Sequence, residues 1–519
     1  MTGPGGARLN GPVTSAPTPD PALVAALRAD LTAAGYTADA VRDAWGPLAD
    51  EAIGHGLHGP ALAALGERTD ALAVLCRVLF LGASAPADAV DAALASLGAD
   101  GLAALGLADR DGDIVRATAL VRPQDFADAR GGGQWWIASD LDEAAVGGPL
   151  PTGHVLGVGG ASLTLAGLQL PGHAGVALDL GTGCGIQALR ARRAVDRVVA
   201  TDVSARALSF TALNALLNDV DDIEVRLGSL FEPVAGERFD RVVSNPPFVI
   251  TPRVEGVPEY EYRDGGMAGD DLVAAFVTGV GAVLAPGGTA QLLGNWEYRT
   301  DADGLDRVRD WVAASPVPLD AWVVERELLD PLAYAELWVR DGGTAPGSPA
   351  YARLVEAWLS DFAARDVTAI GFGYLLLRRA EGAAPSLARY ERITQGLGDS
   401  LGVHLDAALS AWDRLAVTDD DTLAHAVLTV ADDVTEARHH LPGAEAPSVI
   451  ELRQGGGFAR TIQVDPALAA LVGACDGDLP VGALVSAIAD LLEVDAAELS
   501  ADLLPRVREL VFTGFLAWP

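Results

Sequence analysis

Between residues 174 and 300, short apolar runs alternate with stretches of helical spacing. "GVALDLGTGCGIQAL" (175–189) is an apolar run ending in Asp179, then a turn with Gly181, Thr182, Gly183 and Gly185, then a helix-like segment. "DRVVATDVS" (196–204), "IEVRLGSLFEPV" (223–234), "FDRVVSNPPF" (239–248) and "GGTAQLLGNW" (287–296) supply four more runs, with segments such as "SARALSFTALNALLND" between them. Strands alternating with helices imply an α/β, doubly wound parallel sheet, whose ligand sits at the carboxyl ends of the strands near the switch point. Asp179, Gly181, Gly183, Asp202, Ser229 and Asn245 all fall at such ends.

Three glycines in one strand-to-helix turn let the backbone approach a ligand that a side chain would exclude. Asp202, at the end of the next strand and about twenty positions on, is placed to accept hydrogen bonds from a ribose diol, which points to an adenosine-containing cofactor. The bland alternative for the turn alone is tight strand–helix packing. In "VVSNPPFVI" (242–250) a buried run stops on Asn245, Pro246, Pro247 and Phe248. Proline has no N–H, so this edge is rich in acceptors. It ends in one amide side chain and one ring.

The chain has 519 residues and a net charge of −35, with every basic residue an arginine. Residues 1–150, 151–380 and 381–519 carry −10, −11 and −14, so no segment is a basic module and a long nucleic acid is disfavoured. The arginines of "RARRAVDR" (190–197) read as a solvated helix face. Cys76, Cys184 and Cys475 lie far apart and read as buried thiols, with no metal-type spacing. No run is long and apolar enough to span a bilayer, which leaves a cytoplasmic protein as the default.

The organisation read from the pattern is a disordered tail (1–20), a helical N-terminal domain ending in a small hairpin (21–150), the α/β core (151–380), and a second mainly helical domain (381–519). Helices followed by a hairpin resemble a winged-helix arrangement at the N-terminal flank, and the C-terminal helices, preceded by possible strands in "SVIELRQGGGF" and "ARTIQVD", resemble one again. Within the core, "DAWVVERELLD" and "VTAIGFGYLLLRR" read as the last two strands, and "SPAYARLVEAWLSDFAARD" as an inserted helix placed like a lid. The acids of "YEYRDGGMAGDDL" (260–272) read as a solvated loop. Trp135 and Trp136 read as linker packing.

Taken together, "ALDLGTGCGIQAL", "ATDVS", "GSLFEPV" and "VVSNPPF" resemble the motifs of class I S-adenosylmethionine-dependent methyltransferases. They are most similar to the small-domain group that includes release-factor glutamine methyltransferases and adenine amino-methyltransferases. "YEYRDGGMAGDDL" is similar to the segment after the Asn-Pro-Pro motif in the release-factor branch. The resemblance implies a Rossmann-like core with S-adenosyl-L-methionine as cofactor. Asp179, Gly181, Thr182, Gly183 and Gly185 would cradle its methionine part and Asp202 its ribose, with Val203, Ser229, Leu230 and Asn245 completing the pocket. Many relatives have an Asp where this chain has Ser229. Asn245 and the Pro246 carbonyl would accept from a target NH₂, and Phe248 would stack on it. The implied function is N-methylation of a planar amide, a protein glutamine or small-molecule amide, with no metal. The alternatives are an adenine or guanine amine in RNA or DNA, and a silent cofactor-binding scaffold.

Overall fold

The computed structural model describes residues 15–148, 150–254, 257 and 263–519. Residues 1–14 of the expected tail, and Tyr260 to Tyr262 of the "YEYRDGG" segment, lie outside them. The chain forms two compact units, Met1–Ala166 with His173–Glu391, and Gly167–Gly172 with Arg392–Pro519.

The first unit is built on a mixed sheet of eight strands: β1 (Ala174–Leu180), β2 (Val195–Asp202), β3 (Ile223–Leu227), β4 (Phe239–Ser244), β5 (Leu284–Arg299), β6 (Leu319–Leu329), β7 (Val367–Arg379) and β8 (Ala388–Arg392). Their order is β8-β6-β7-β5-β4-β1-β2-β3. From β1 the chain steps outward to β2 and β3, then returns to place β4 on the other side of β1, all in parallel. That reversal opens a crevice between the ends of β1 and β4. β5 continues in parallel, whereas β7 inserts antiparallel between β5 and β6. The central strands are buried on both faces, as helix-covered parallel strands must be: Leu178, Val199, Val242 and Leu292 are at most 1% exposed.

Ahead of the sheet, seven short α-helices between Pro21 and Ala104 lead to an antiparallel hairpin, Ala108–Asp111 with Ile114–Ala117, joined by the two residues Ala85–Pro86. A longer hairpin follows, Ala119–Asp128 with Gly131–Asp140. Its second strand is held by two asparagines of the helix Ala205–Leu217 and its cap. Asn214 accepts from the Ala138 N–H at 2.7 Å and donates to the Ala138 and Cys184 carbonyls. Asn218 pairs in the same way with both main-chain groups of Trp136. Trp135 stacks on Phe126 at 3.9 Å and Trp136 donates to the Tyr36 carbonyl, so both pack internally. Arg190 and Arg193 are not a solvated face: they converge on Asp128 and the Phe126 ring, while Arg192 reaches Asp222.

The second unit combines the helix Leu401–Ala416 with two three-stranded sheets and the helices Pro466–Ala474, Val481–Leu492 and Ala496–Phe512. All three cysteines are free and buried. Among the described residues, no helix is long and apolar enough to cross a membrane, and no group of three or more His, Cys, Asp or Glu could hold a metal ion.

Candidate functional site

The residues expected to bind a ligand lie at the carboxyl ends of four neighbouring strands, β4, β1, β2 and β3. After β1 the chain turns through Gly181, Gly183 and Gly185 with φ of +75°, +56° and +85°, a region that costs an L-residue strain. An added Cβ at Gly181 or Gly183 would meet nothing within 4 Å, so the turn borders open space. Gly185, in contrast, lies against Thr211, and its absent side chain serves packing. The Gly181 and Thr182 N–H groups both donate to the Thr201 carbonyl, which fixes the turn onto β2.

Asp179 is fully buried, and Thr182 donates its hydroxyl to Oδ2 at 2.7 Å. Oδ1 has no hydrogen-bond partner among the described residues. Burial, more than any other cause, pushes this carboxyl up to about 7, opposed by the Thr182 hydroxyl and the Ala188 main chain, with the Asp202 charge adding a smaller push upward. A buried carboxylate with one open oxygen suits a cationic amine.

Asp202 ends β2 and accepts the Gly183 N–H on Oδ2 at 3.0 Å and the Ser204 N–H on Oδ1 at 2.8 Å. These bonds orient the carboxylate at the end of β2. Val203 is 62% exposed beside it, an apolar surface facing solvent. Ser229 is exposed just past β3, and Leu230 takes φ +45° while packing on the core side of the turn. Such a dihedral is strained for leucine and sits at a ligand-binding edge more often than elsewhere.

On the other side of the crevice, Asn245 follows β4, whose Ser244 pairs with Leu180 and donates its hydroxyl to the Leu180 carbonyl. The Asn245 side-chain oxygen is buried with no partner among the described residues. The Pro246 carbonyl is not bare: the Phe248 N–H donates to it at 2.8 Å, closing a three-residue turn and leaving one lone pair open. Phe248 is half-buried against the core, bridged to Asp264.

The expectation of a solvated acidic loop fails for Asp264 and Asp270. Asp264 is ion-paired with Arg253 and accepts the Gly266 N–H. Asp270 pairs with Arg307 and accepts the Glu297 N–H at 2.9 Å. Both acids are buried, since each has an arginine to balance its charge. These pairs brace the segment after the Asn-Pro-Pro turn.

Sequence reasoning missed a polar group on β5. Asn295 and Glu297 are both fully buried near the carboxyl end of that strand, Glu297 between Arg299 and Arg365. The signal was present as two polar residues, two apart, closing an otherwise apolar run. The helices Pro331–Asp341 and Pro349–Ala364 pack Tyr334, Trp358 and Phe362 onto Val249 and Ile250, directly after the Asn-Pro-Pro turn.

Comparison with known proteins gives three family matches. Residues 159–301 match the methyltransferase small domain, and residues 33–118 and 408–518 match two domains of unknown function, DUF7059 and DUF7782. A release factor glutamine methyltransferase of Xylella fastidiosa is 37% identical over 127 residues, 23% of this chain and 46% of the relative. A ribosomal protein uL3 glutamine methyltransferase of Bordetella pertussis is 35% identical over 126 residues, 22% of this chain and 42% of the relative. The chain therefore spans less than half the length of either. Among solved structures, a ribosomal protein L11 methylase from Lactobacillus delbrueckii subsp. bulgaricus aligns with 15% identity and a TM-score of 0.25, covering 42% of this chain and 77% of that one. The family match covers both sides of the crevice, from ahead of β1 to the end of β5, and residues 159–301 belong to the small-domain group of class I S-adenosylmethionine-dependent methyltransferases.

Proposed function

We propose that the protein is an S-adenosylmethionine-dependent N-methyltransferase whose acceptor is a side-chain carboxamide, with protein glutamine the favoured case. The observation that carries this reading is the buried Asn245 oxygen across the β1–β4 switch from a buried Asp179 oxygen, neither with a hydrogen-bond partner among the described residues. The residues present fit the cofactor: Asp179 for its ammonium, the open edge at Gly181 and Gly183 for its methionine backbone, Asp202 for the ribose hydroxyls, and Val203, Ser229 and Leu230 for the base. When bound, the cofactor supplies a methyl group on a cationic sulfur.

An amide nitrogen is a poor nucleophile because its lone pair is delocalised into the carbonyl. Two fixed acceptors, the Asn245 Oδ1 and the open lone pair of the Pro246 carbonyl, hold the NH₂ and favour the geometry that directs the nitrogen lone pair outward. Phe248 offers a flat surface for the planar group. Positioning and electrostatics suffice, and no strong base is needed in this scheme.

The net charge of −35 repels a polyanion and favours a neutral or basic protein surface. The relatives named for glutamine methylation support the same choice. In this reading the flanking regions, expected to be winged-helix-like, select the protein acceptor, and the enzyme works in the cytoplasm. Labelled methyl transfer to a fractionated lysate tests it. Label should enter protein, and label entering ribosomal RNA would contradict the proposal in favour of a nucleic-acid amine.

A further inference from the structure

β4 breaks off at Ser244, whereas β5 runs on past the Ser244–Leu292 pair to Arg299. Residues paired across parallel strands share a face, so Val243 and Gln291 lie on one side of the sheet and Ser244 and Leu292 on the other. Alternation along β5 carries the Gln291 side through Leu293 to Asn295. Asn245, the residue after Ser244, continues the Val243 side. The two asparagines thus belong to one face.

Asn295 is fully buried, and its side-chain oxygen meets no donor among the described residues. Its amide nitrogen lies 2.7 Å from the hydroxyl oxygen of Tyr334, which also accepts the Ile250 N–H at 2.9 Å. With two donors aimed at it, that hydroxyl has no described acceptor for its own proton. A half-turn of the Asn295 amide, which exchanges its oxygen and nitrogen, lets Tyr334 donate to the oxygen and accept from Ile250. The NH₂ of Asn295 is then left with unused donors. Either orientation leaves part of a fully buried amide unpaired, which native interiors rarely tolerate without a partner to come.

A carboxamide acceptor has two hydrogens on nitrogen and an oxygen that needs a donor. Asn245 and Pro246 meet the nitrogen, and nothing yet named meets the oxygen. We infer that Asn295 does so, as a substrate-binding residue whose NH₂ holds the acceptor carbonyl. Tyr334 is the positioning residue that fixes the amide orientation and ties it to Ile250, five residues past Asn245. The inference rests on the carboxamide reading above and deepens it. The role is orientation: a donor on the carbonyl does not free the nitrogen lone pair, so its loss acts chiefly on acceptor binding.

The test is steady-state methyl transfer by the full chain to a glutamine-bearing peptide, with S-adenosylhomocysteine binding measured on each variant. Asn295→Asp keeps the shape and still accepts from Tyr334 but has no donor for the substrate. It should raise KM for the peptide about tenfold or more while S-adenosylhomocysteine affinity stays within about twofold. Asn295→Ala, which has neither a side-chain donor nor a charge to bury, should do the same, and Tyr334→Phe should raise KM by less. If both Asn295 variants bind S-adenosylhomocysteine normally and keep the wild-type KM, or if both lose S-adenosylhomocysteine binding outright, Asn295 has no role at the acceptor and the inference falls while the carboxamide reading stands. If the wild-type protein leaves the peptide unmodified but methylates RNA, the carboxamide reading itself falls and this inference with it.

Discussion

Asp179 and Asn245 stand at the carboxyl ends of neighbouring parallel strands, Asp179 paired in register with Val243, and each keeps one buried oxygen that no described residue donates to. One oxygen belongs to a carboxyl held near neutrality and the other to an uncharged amide. In the proposed function that difference gives the first to a cation and the second to an NH₂.

The Asp179 carboxyl gives a pH signature. Burial raises it to about 7 in the free protein, so a cationic ligand binds the ionised form in competition with a proton. Affinity for S-adenosylhomocysteine should be flat above that pH and fall about tenfold per unit below it. The sign for the free fold is opposite. A raised carboxyl pKa contributes stability that is present at low pH and is lost as pH climbs from the ordinary Asp range through about 7. Calorimetric titrations across this range check both, and Asp179→Asn should flatten the binding profile.

Asn245→Ala should separate binding from chemistry. Cofactor affinity should change little, while methyl transfer falls on the order of a hundredfold or more, as for loss of a positioned polar group at a reacting centre. A variant that transfers methyl at the wild-type rate would reduce the turn to a strand stop.

Phe248→Ala should weaken acceptor binding more than it slows transfer at saturation, because the half-buried ring is available as a stacking surface while its backbone N–H still closes the turn on Pro246. The ratio of its effects on KM and kcat for a glutamine peptide measures this.

Asn214→Leu should cost about 2–5 kcal/mol, since it leaves the Ala138 N–H and the Ala138 and Cys184 carbonyls without their buried partner. Asn218→Ala should cost less, because Asn218 is only half-buried. Denaturant midpoints of the two variants provide the comparison, and equal midpoints would contradict the ranking.

The central sheet was legible because strand and helix periods alternate cleanly from Ala174 onward, and the glycines with Asp202 marked the edge at the carboxyl ends of β1 and β2 where the ligand is proposed to bind. What stayed hidden depends on partners remote in sequence. Asp264 and Asp270 look solvated in a glycine-rich loop, yet their arginines, Arg253 and Arg307, lie 11 and 37 residues away. The same holds for the Asn214 and Asn218 clasps, whose main-chain partners at Ala138 and Trp136 lie 76 and 82 residues back. The antiparallel insertion of β7 between β5 and β6 is likewise a choice of pairing that strand periodicity does not encode.

The central claim, methyl transfer to a carboxamide nitrogen at Asn245, is tested most directly by chemical analysis of the labelled product. Protein labelled by the wild-type enzyme with S-adenosylmethionine carrying a radioactive methyl should release the label as methylamine on acid hydrolysis, because cleavage of an N-methyl carboxamide frees that amine. Asn245→Ala should yield little of it while still binding S-adenosylhomocysteine. Label recovered instead as a methylated nucleobase, or methylamine formed equally well by Asn245→Ala, would contradict the account.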